Sequence, residues 1–397
     1  MSSDPPYYDN VGYADLSDFF YVWLRRSLKD IYPADFSTLL VPKTQELVAN
    51  PYRFGDKANA EKHFEHGLAA AFTRMREIHL AEFPLTVFYA FKQAEDASGD
   101  GHPASTGWET MLEALLRSGF AIDGTWPMRS ELGNRMRNLD SNALASSIVL
   151  VCRPRRADAP VTTRKDFLAE LKGELPGALK NLQQGNIAPV DLAQAAIGPG
   201  MGVFSRYSKV LEADGTAMSI RTALGLINQV LDETLSEQEG DFDPDTRWAI
   251  AWFEQNAMNP GQFGLAETLS KAKNTAVNAL RLAGIVESIG GKVRLLDRDE
   301  LDGAWDPARD RRITIWEVTQ HLVRALDEDG ERGAAALLKK VGGAGETARE
   351  LAYRLYNICE RKNWAKEALA YNSLVVAWPE IRKLAAETPS GQQAMEI

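Results

Sequence analysis

The sequence has little cysteine, no long apolar run and no excess of positive charge. Its 397 residues include only two cysteines, Cys152 and Cys359, which are too few and too far apart for a disulfide framework or a zinc site. No apolar run approaches the roughly 18 residues of a membrane-spanning helix. The first residues contain neither a basic nor an apolar segment, so we expect no secretory signal and a cytoplasmic location.

The net charge is −10, from 45 basic and 55 acidic side chains. This balance argues against a protein that coats nucleic acid by bulk charge, but it is compatible with an enzyme that has a local basic cleft. Residues 117–165 are basic, with nine Lys or Arg against four acids. We expect this segment to border a cleft, and the alternative is an ordinary solvated face.

The first part of the chain alternates between helical and strand patterns. Helices are predicted at 16–30, where the apolar residues form a stripe, and at 60–81. The apolar run 85–91 predicts a buried strand, followed by a helix at 106–117 and strands at 120–126 and 143–152. Strand, helix, strand, strand is typical of the back half of a doubly wound sheet that finishes in a hairpin.

Beyond residue 156 the pattern is almost wholly helical, with one interruption. Short helices at 263–269 and 274–283 precede a hairpin at Gly290-Gly291, which is a winged-helix-like order. The polar residues around it (Lys271, Lys273, Asn274 and Arg281) either contact phosphates or surround a winged helix that packs on protein. The predicted fold class is therefore α/β plus α, an incomplete doubly wound (Rossmann-like) sheet followed by a mainly helical region. The predicted domains are 1–157, 158–260, 261–300 and 301–397.

The sharpest motif is Asp4-Pro5-Pro6-Tyr7, which should arise by chance in such a chain with a probability of about 0.002. The exocyclic amine of a base is a poor nucleophile because its lone pair is delocalised into the ring. A carboxylate from Asp4 and the carbonyl of Pro5 can accept both amine hydrogens, and two prolines fix the carbonyl direction in advance. Tyr7 offers an aromatic face for a base rotated out of the duplex. The alternative is a rigid N-terminal turn without chemistry.

The run Asp-Pro-Pro-Tyr-Tyr-Asp-Asn-Val-Gly-Tyr at 4–13, with its continuation to residue 26, resembles a large prokaryotic family of adenine-specific DNA methylases. Some members of that family are associated with anti-phage islands. The resemblance extends over essentially the whole chain, through stretches at 90–93, 105–110, 124–127, 141–150, 185–189, 198–200, 204–207 and 353–356. It implies a DNA methyltransferase that acts on N6 of adenine, uses S-adenosylmethionine, and has Asp4, Pro5, Pro6 and Tyr7 as its catalytic loop.

The chain also departs from that family. The family's Gly-rich loop, which holds S-adenosylmethionine upstream of Asp-Pro-Pro-Tyr, has no counterpart, because Gly198-Pro-Gly-Met-Gly202 lacks the preceding strand and the following helix. We therefore expect the strands before Asp4 to be missing, strand 85–91 to form an open edge, and the chain to be inactive or completed by a separate upstream polypeptide. The alternative is a non-catalytic DNA-binding or interaction module left by gene truncation. A methylase acting on protein glutamine is disfavoured, since those enzymes usually carry Asn where Asp4 stands.

The remaining candidate residues lie near predicted strand ends. Trp126, Arg129, Asn134 and Arg135 follow a strand at the ligand-facing edge and are expected to approach DNA or the rotated base, but for Trp126 packing is the favoured role. Lys92 ends another strand at that edge, where it either contacts DNA or is simply solvated. His63 and His66 have metal-compatible spacing, but no third ligand type clusters with them, so no metal site is predicted.

Overall fold

The structure is a computed structural model that describes residues 1–6, 12–89, 106–129 and 146–387. Its helices are α1 Tyr13–Leu28, α2 Pro51–Phe54, α3 Lys57–Ile78, α4 Thr106–Arg117, α5 Arg164–Gln184, α6 Pro189–Ser205, α7 Ile220–Glu237, α8 Pro244–Asn256, α9 Phe263–Ala272, α10 Val277–Leu282, α11 Ile315–Val341, α12 Ala344–Arg361 and α13 Ala365–Ala386. Its strands are β1 Ser2–Ser3, β2 Leu85–Tyr89, β3 Phe120–Arg129, β4 Ser146–Pro154, β5 Val161–Thr163, β6 Lys209–Leu211, β7 Gly261–Gln262, β8 Val286–Ile289 and β9 Lys292–Leu295.

The described chain forms two compact units. Unit 1 consists of the described residues within 1–175 and 194–228, and unit 2 consists of the described residues within 176–193 and 229–387. Unit 1 is α/β, with a small mixed sheet, whereas unit 2 is mainly helical. No helix within the described ranges combines the length and apolar character needed to cross a membrane.

The main sheet of unit 1 has the strand order β1-β2-β4-β3. β1 pairs parallel with β2, and β4 pairs antiparallel with both β2 and β3. Because β4 runs opposite to both of its neighbours, β1, β2 and β3 all point the same way. The predicted strands and terminal hairpin are therefore present, and the carboxyl ends of three strands meet at one edge of the sheet.

The expectation that β2 forms the open edge of this sheet is wrong. Ser2 and Ser3 pair with Thr86 and Val87, so a short strand does lead into Asp4 and covers that side of β2. The N–H of Thr86 donates to the carbonyl of Met1 over 2.9 Å. Within the described ranges, the strands with a neighbour on one side only are β1 and, at the other end of the sheet, β3.

Gly198-Pro199-Gly200 lies inside helix α6, although a Gly-Pro-Gly sequence is typical of a loop. The two glycines allow close packing: a Cβ on Gly198 would come within 2.2 Å of the Thr125 side chain, and one on Gly200 within 2.6 Å of Ile227. Pro199 has no N–H to donate to the carbonyl four residues earlier, that of Ala195. The hydroxyl of Thr125 on β3 donates to this same carbonyl over 2.8 Å, so the proline leaves no unpaired acceptor.

We predict that Thr125→Val lowers the free energy of unfolding by about 1–3 kcal/mol, because the buried carbonyl of Ala195 loses its donor. Urea unfolding measures the change. The control is the same substitution in a Pro199→Ala background, where the new N–H at position 199 can donate to that carbonyl and Thr125→Val should cost much less. An equal cost in both backgrounds would contradict the assignment.

In unit 2, the order α8, β7, α9, α10, β8, β9 with a sheet ordered β7-β9-β8 forms the predicted winged helix. Two aspartates fasten it to the N-terminus of α11. Asp243 caps α8 by accepting from the N–H of Thr246, and it also accepts from the N–H of Ile315 over 3.0 Å. Asp245 accepts two hydrogen bonds from Arg312, at 2.6 and 3.0 Å, and a third from the Thr275 hydroxyl in the turn before α10. These contacts fix the position of α10.

Helices α11, α12 and α13 pack together as a bundle around Trp316, Tyr371 and Trp378, all at most 1% exposed. Gly330 breaks α11 with a φ of 68°, so that this helix consists of two segments. The guanidinium of Arg298 lies 5.1 Å from the Tyr371 ring centroid and pairs with Glu367 over 2.6 Å, which ties the segment after the winged helix to α13.

A group of titratable side chains is buried at the start of α11. Glu317 is 4% exposed, its Oε2 has no hydrogen-bond partner, and it faces the carboxylate of Asp310. Burial, together with Asp310, raises the pKa of Glu317 to about 9. His321 stacks on Trp305 with ring centroids 4.3 Å apart, and burial lowers the pKa of this histidine to about 4.

We predict that wild-type stability falls as pH rises from 7 to 9. The folded chain keeps a proton on Glu317, and the unfolded chain releases it at its ordinary pKa, so stability is lost up to the folded pKa of about 9. His321 adds nothing in this window, because its lowered pKa affects stability only below its ordinary value. Glu317→Gln should remove most of the slope in urea unfolding, whereas Glu331→Gln, at an exposed position, should retain it. A wild-type slope in Glu317→Gln would contradict the prediction.

Candidate functional site

The carboxyl ends of β1, β2 and β3 form the candidate edge of the sheet. Ser3, Val87, Leu150 and Thr125 lie in one row across the four strands. Asp4 follows Ser3, and Trp126 follows Thr125, so each lies one residue beyond that row. Ligands of open α/β sheets bind outside the carboxyl ends of parallel strands. A ligand is therefore expected at this edge, and the sequence motif lies on it.

The catalytic-loop candidates differ in burial along the loop. Pro5 is buried, whereas Asp4 and Pro6 on either side of it are exposed. Within the described ranges, the Asp4 carboxylate has neither a hydrogen bond nor an ion pair, so its oxygens are free to accept from a ligand. Tyr7 lies outside the described residues. The buried proline holds the backbone while the acid faces solvent.

Trp126 is 68% exposed, and Met128, two residues further on the same face of β3, is 50% exposed. The packing interpretation of Trp126 is therefore wrong. Three strand spacings separate β1 from β3, so Trp126 lies about 14 Å from the Asp4 position across the sheet. The tryptophan shares an edge with the loop without touching it.

Four further residues are predicted to contact DNA. Arg129 is the last residue of β3, at the same edge, but its side chain lies outside the description. Lys92, Asn134 and Arg135 also lie outside the described residues. The structure thus brings Asp4, Pro5, Pro6 and Trp126 to one edge and leaves these four contacts as predictions.

The arginines that end β4 lie away from the Asp4 edge, contrary to the expectation that the basic segment 117–165 borders the cleft. Because β4 is antiparallel to its neighbours, its carboxyl end, with Arg153, Arg155 and Arg156, lies at the opposite edge from Asp4. Arg153 pairs with Asp123 over 2.8 Å, and Arg156 pairs with Asp158 over 2.8 Å. Position removes all three arginines from the candidate site, and Arg153 and Arg156 are also neutralised.

The same opposite edge has a cavity of about 250 Å³ between α4, α7 and the loop after α6. Arg155 lines it and donates to the carbonyl of Leu116, and Tyr207 lines it while donating to Glu170 over 2.5 Å. Burial raises the pKa of Tyr207 to about 12. Ion pairs within unit 1 neutralise the acids of this cavity, Glu113 with Arg117 and Glu109 with Arg221. The cavity is separate from the Asp4 edge.

Helix α1, directly after the loop, exposes an apolar face. Its inner side is held by polar contacts, since Asp18 accepts from Lys43 over 2.6 Å and the Tyr21 hydroxyl donates to the carbonyl of Thr38 over 3.1 Å. Seven large apolar side chains are between 47% and 69% exposed: Tyr13, Leu16, Phe19, Phe20, Val22, Trp23 and Leu24. The sequence shows this stripe, but it does not show that the stripe faces outward. Exposed apolar patches of this kind mark interaction sites.

The described residues do not fit S-adenosylmethionine. A donor site of the expected kind needs a Gly-rich turn between a strand and a helix, where backbone can approach the ligand. The glycines at 198, 200 and 202 lie within α6, where Gly198 and Gly200 adjoin side chains of Thr125 and Ile227. No group of three or more His, Cys, Asp or Glu suited to a metal occurs in the described ranges. His63 stacks on Phe54 with ring centroids 4.2 Å apart and lies 3.1 Å from the carbonyl of Glu46.

A protein-family model matches the C-terminal part of the chain. Residues 243–396 match the model of a domain of unknown function (DUF8807). The matched segment begins at the cap of α8 and includes the winged helix and α11 to α13, which belong to unit 2. No curated protein and no solved structure matches the chain.

We predict that Trp126→Ala changes the free energy of unfolding by no more than about 0.5 kcal/mol, because the ring is mostly in solvent. The matched control is Trp108→Ala, where the ring is 1% exposed and packs edge-on against Tyr89, and this substitution should cost about 3–5 kcal/mol. Urea unfolding compares the two. A large loss for Trp126→Ala would return this residue to a packing role.

Proposed function

We propose that this chain is the catalytic-loop and target-recognition part of an S-adenosylmethionine-dependent DNA methyltransferase acting on N6 of adenine. The observation that carries the proposal is the position of Asp4-Pro5-Pro6. The motif leaves the carboxyl end of β1, a strand parallel to β2, with the acid exposed and the first proline buried. A rigid turn without chemistry would not require an unpaired carboxylate at the ligand edge of the sheet.

The proposed chemistry of the loop is to hold the target amine. The carboxylate of Asp4 and the carbonyl of Pro5 accept the two amine hydrogens, which draws the nitrogen toward a tetrahedral geometry and localises its lone pair. Because the proline rings fix φ, little ordering of the loop is needed when the base arrives. Tyr7 provides a face for the base rotated out of the duplex.

Trp126 and Met128 are assigned to the flanking DNA. The separation of about 14 Å from Asp4 corresponds to roughly four base steps at 3.4 Å each. A side chain at that distance contacts the duplex beside the target and not the extruded base. Arg129 at the end of β3 lies beside them at the same edge.

The methyl donor requires residues beyond those described here. We propose that a polypeptide encoded upstream binds beside β1, adds strands to its open side, covers the apolar face of α1 and supplies the donor site. The open edge and this face belong to segments on either side of the catalytic loop, so one partner can complete both. Unpaired strand edges and exposed apolar patches both favour association with another chain.

The second candidate is a non-catalytic DNA-binding or interaction module. It is favoured by the family match, which covers α8 to α13 and none of the strands of unit 1. Such a module would retain DNA or protein binding and show no dependence on Asp4.

The test is methyl transfer to duplex DNA from radiolabelled S-adenosylmethionine, with the full chain and the polypeptide encoded immediately upstream. Wild type should transfer the label to adenine-containing duplexes, and Asp4→Ala should lower the rate roughly a hundredfold or more, as expected for loss of a preorganised polar contact. The control is Asp35→Ala, at an exposed acid away from the edge, which should keep the wild-type rate. No transfer by wild type, or equal rates for the two variants, would overturn the proposal.

A further inference from the structure

In the winged helix of unit 2, helix α10 has one buried side and one exposed side. Val277 and Leu280 bury the inner side of α10, and Asp245 holds the preceding turn through Thr275. Asn278, Arg281 and Leu282 on the outer side are exposed. The hairpin tip is exposed as well, and its Gly290 and Gly291 have φ of 59° and 75°, in the left-handed region that glycine adopts without strain.

The winged helix is basic, whereas the chain as a whole is acidic. Residues 261–296 contain five basic side chains and two acidic ones, within a chain of net charge −10. Arg294 is neutralised by Glu287 and Glu300 at 2.5–2.9 Å, and Lys271 pairs with Glu267 over 3.3 Å. The three remaining cations are Lys273, Arg281 and Lys292, and none of them has an ion pair within the described ranges.

These three cations come from three different parts of the module. Lys273 lies in the turn between α9 and α10, Arg281 lies on α10, and Lys292 follows the hairpin tip. Arg281 donates only to the side chain of Asn278, over 3.3 Å, which leaves its charge uncompensated. Cations on both sides of an exposed second helix are suited to the phosphates that flank a groove.

We propose that the outer face of α10, with Lys273 before it and Lys292 on the hairpin, docks on double-stranded DNA. The helix enters the major groove, and the cations contact phosphates on either side. A-form RNA is disfavoured because its major groove is too deep and narrow for side chains to read. These residues are remote in sequence from the catalytic loop, and docking on DNA there requires no methyl transfer.

The experiment is fluorescence anisotropy of a labelled 30-base-pair duplex with the full chain at several salt concentrations. The test variant combines Lys273→Gln, Arg281→Gln and Lys292→Gln. The control combines Lys339→Gln, Lys362→Gln and Lys366→Gln, which removes the same charge from exposed positions on α11 to α13 and the α12–α13 turn. Thermal unfolding should be the same for both variants, because all six positions lie at or near the surface.

The test variant should bind at least tenfold more weakly than wild type at about 0.1 M salt, and its salt dependence should fall by about 0.9 per lost phosphate contact. The control should stay within about twofold of wild type. Equal affinities for the two variants, absence of wild-type binding at low salt, or tighter binding to duplex RNA of the same length would overturn the proposal. Binding is measured without methyl donor and without the upstream polypeptide, so its outcome does not depend on methyl transfer, and failure of the proposed catalytic function is distinguishable from failure of this one.

Discussion

The antiparallel position of β4 between β2 and β3 is the constraint on which the rest of unit 1 depends. Because β4 reverses direction between them, β2 and β3 are parallel and their carboxyl ends lie at the same edge as that of β1. The edge therefore gathers Asp4 and Trp126 from segments more than a hundred residues apart in the sequence. For the same reason, the arginines at the carboxyl end of β4 lie at the opposite edge, away from the catalytic loop.

Much of this arrangement could be predicted from the sequence, because local patterns carry it. The strand at 85–89, the helix at 106–117 and the hairpin that follows have the expected types and nearly the expected bounds. The two helices and the glycine hairpin of the winged helix could also be predicted from the sequence, since a change of hydrophobic period and a Gly-Gly turn are local signals. Gly330 separates the two helical segments of α11 where the pattern is interrupted.

The rest depends on contacts that local patterns do not reveal. Gly198-Pro-Gly200 predicts a loop by every local rule, but Thr125 on a distant strand supplies the donor that lets the helix continue through Pro199. The pairing of Ser2 and Ser3 with β2 involves too few residues to show a periodicity. For the candidate site, the motif predicts Asp4, Pro5 and Pro6, whereas the exposure of Trp126 and of the α1 stripe could be learned only from the packed chain.

The two cysteines acquire a use from their positions. Cys152 lies in β4 of unit 1 and Cys359 in α12 of unit 2, both fully buried, and burial raises the pKa of each thiol, that of Cys152 to about 12. A buried, protonated thiol reacts with alkylating reagents only when its surroundings open. Each unit thus contains one natural reporter of its own opening, and the alkylation rate of each cysteine, read by mass spectrometry, measures the local stability of the unit that holds it.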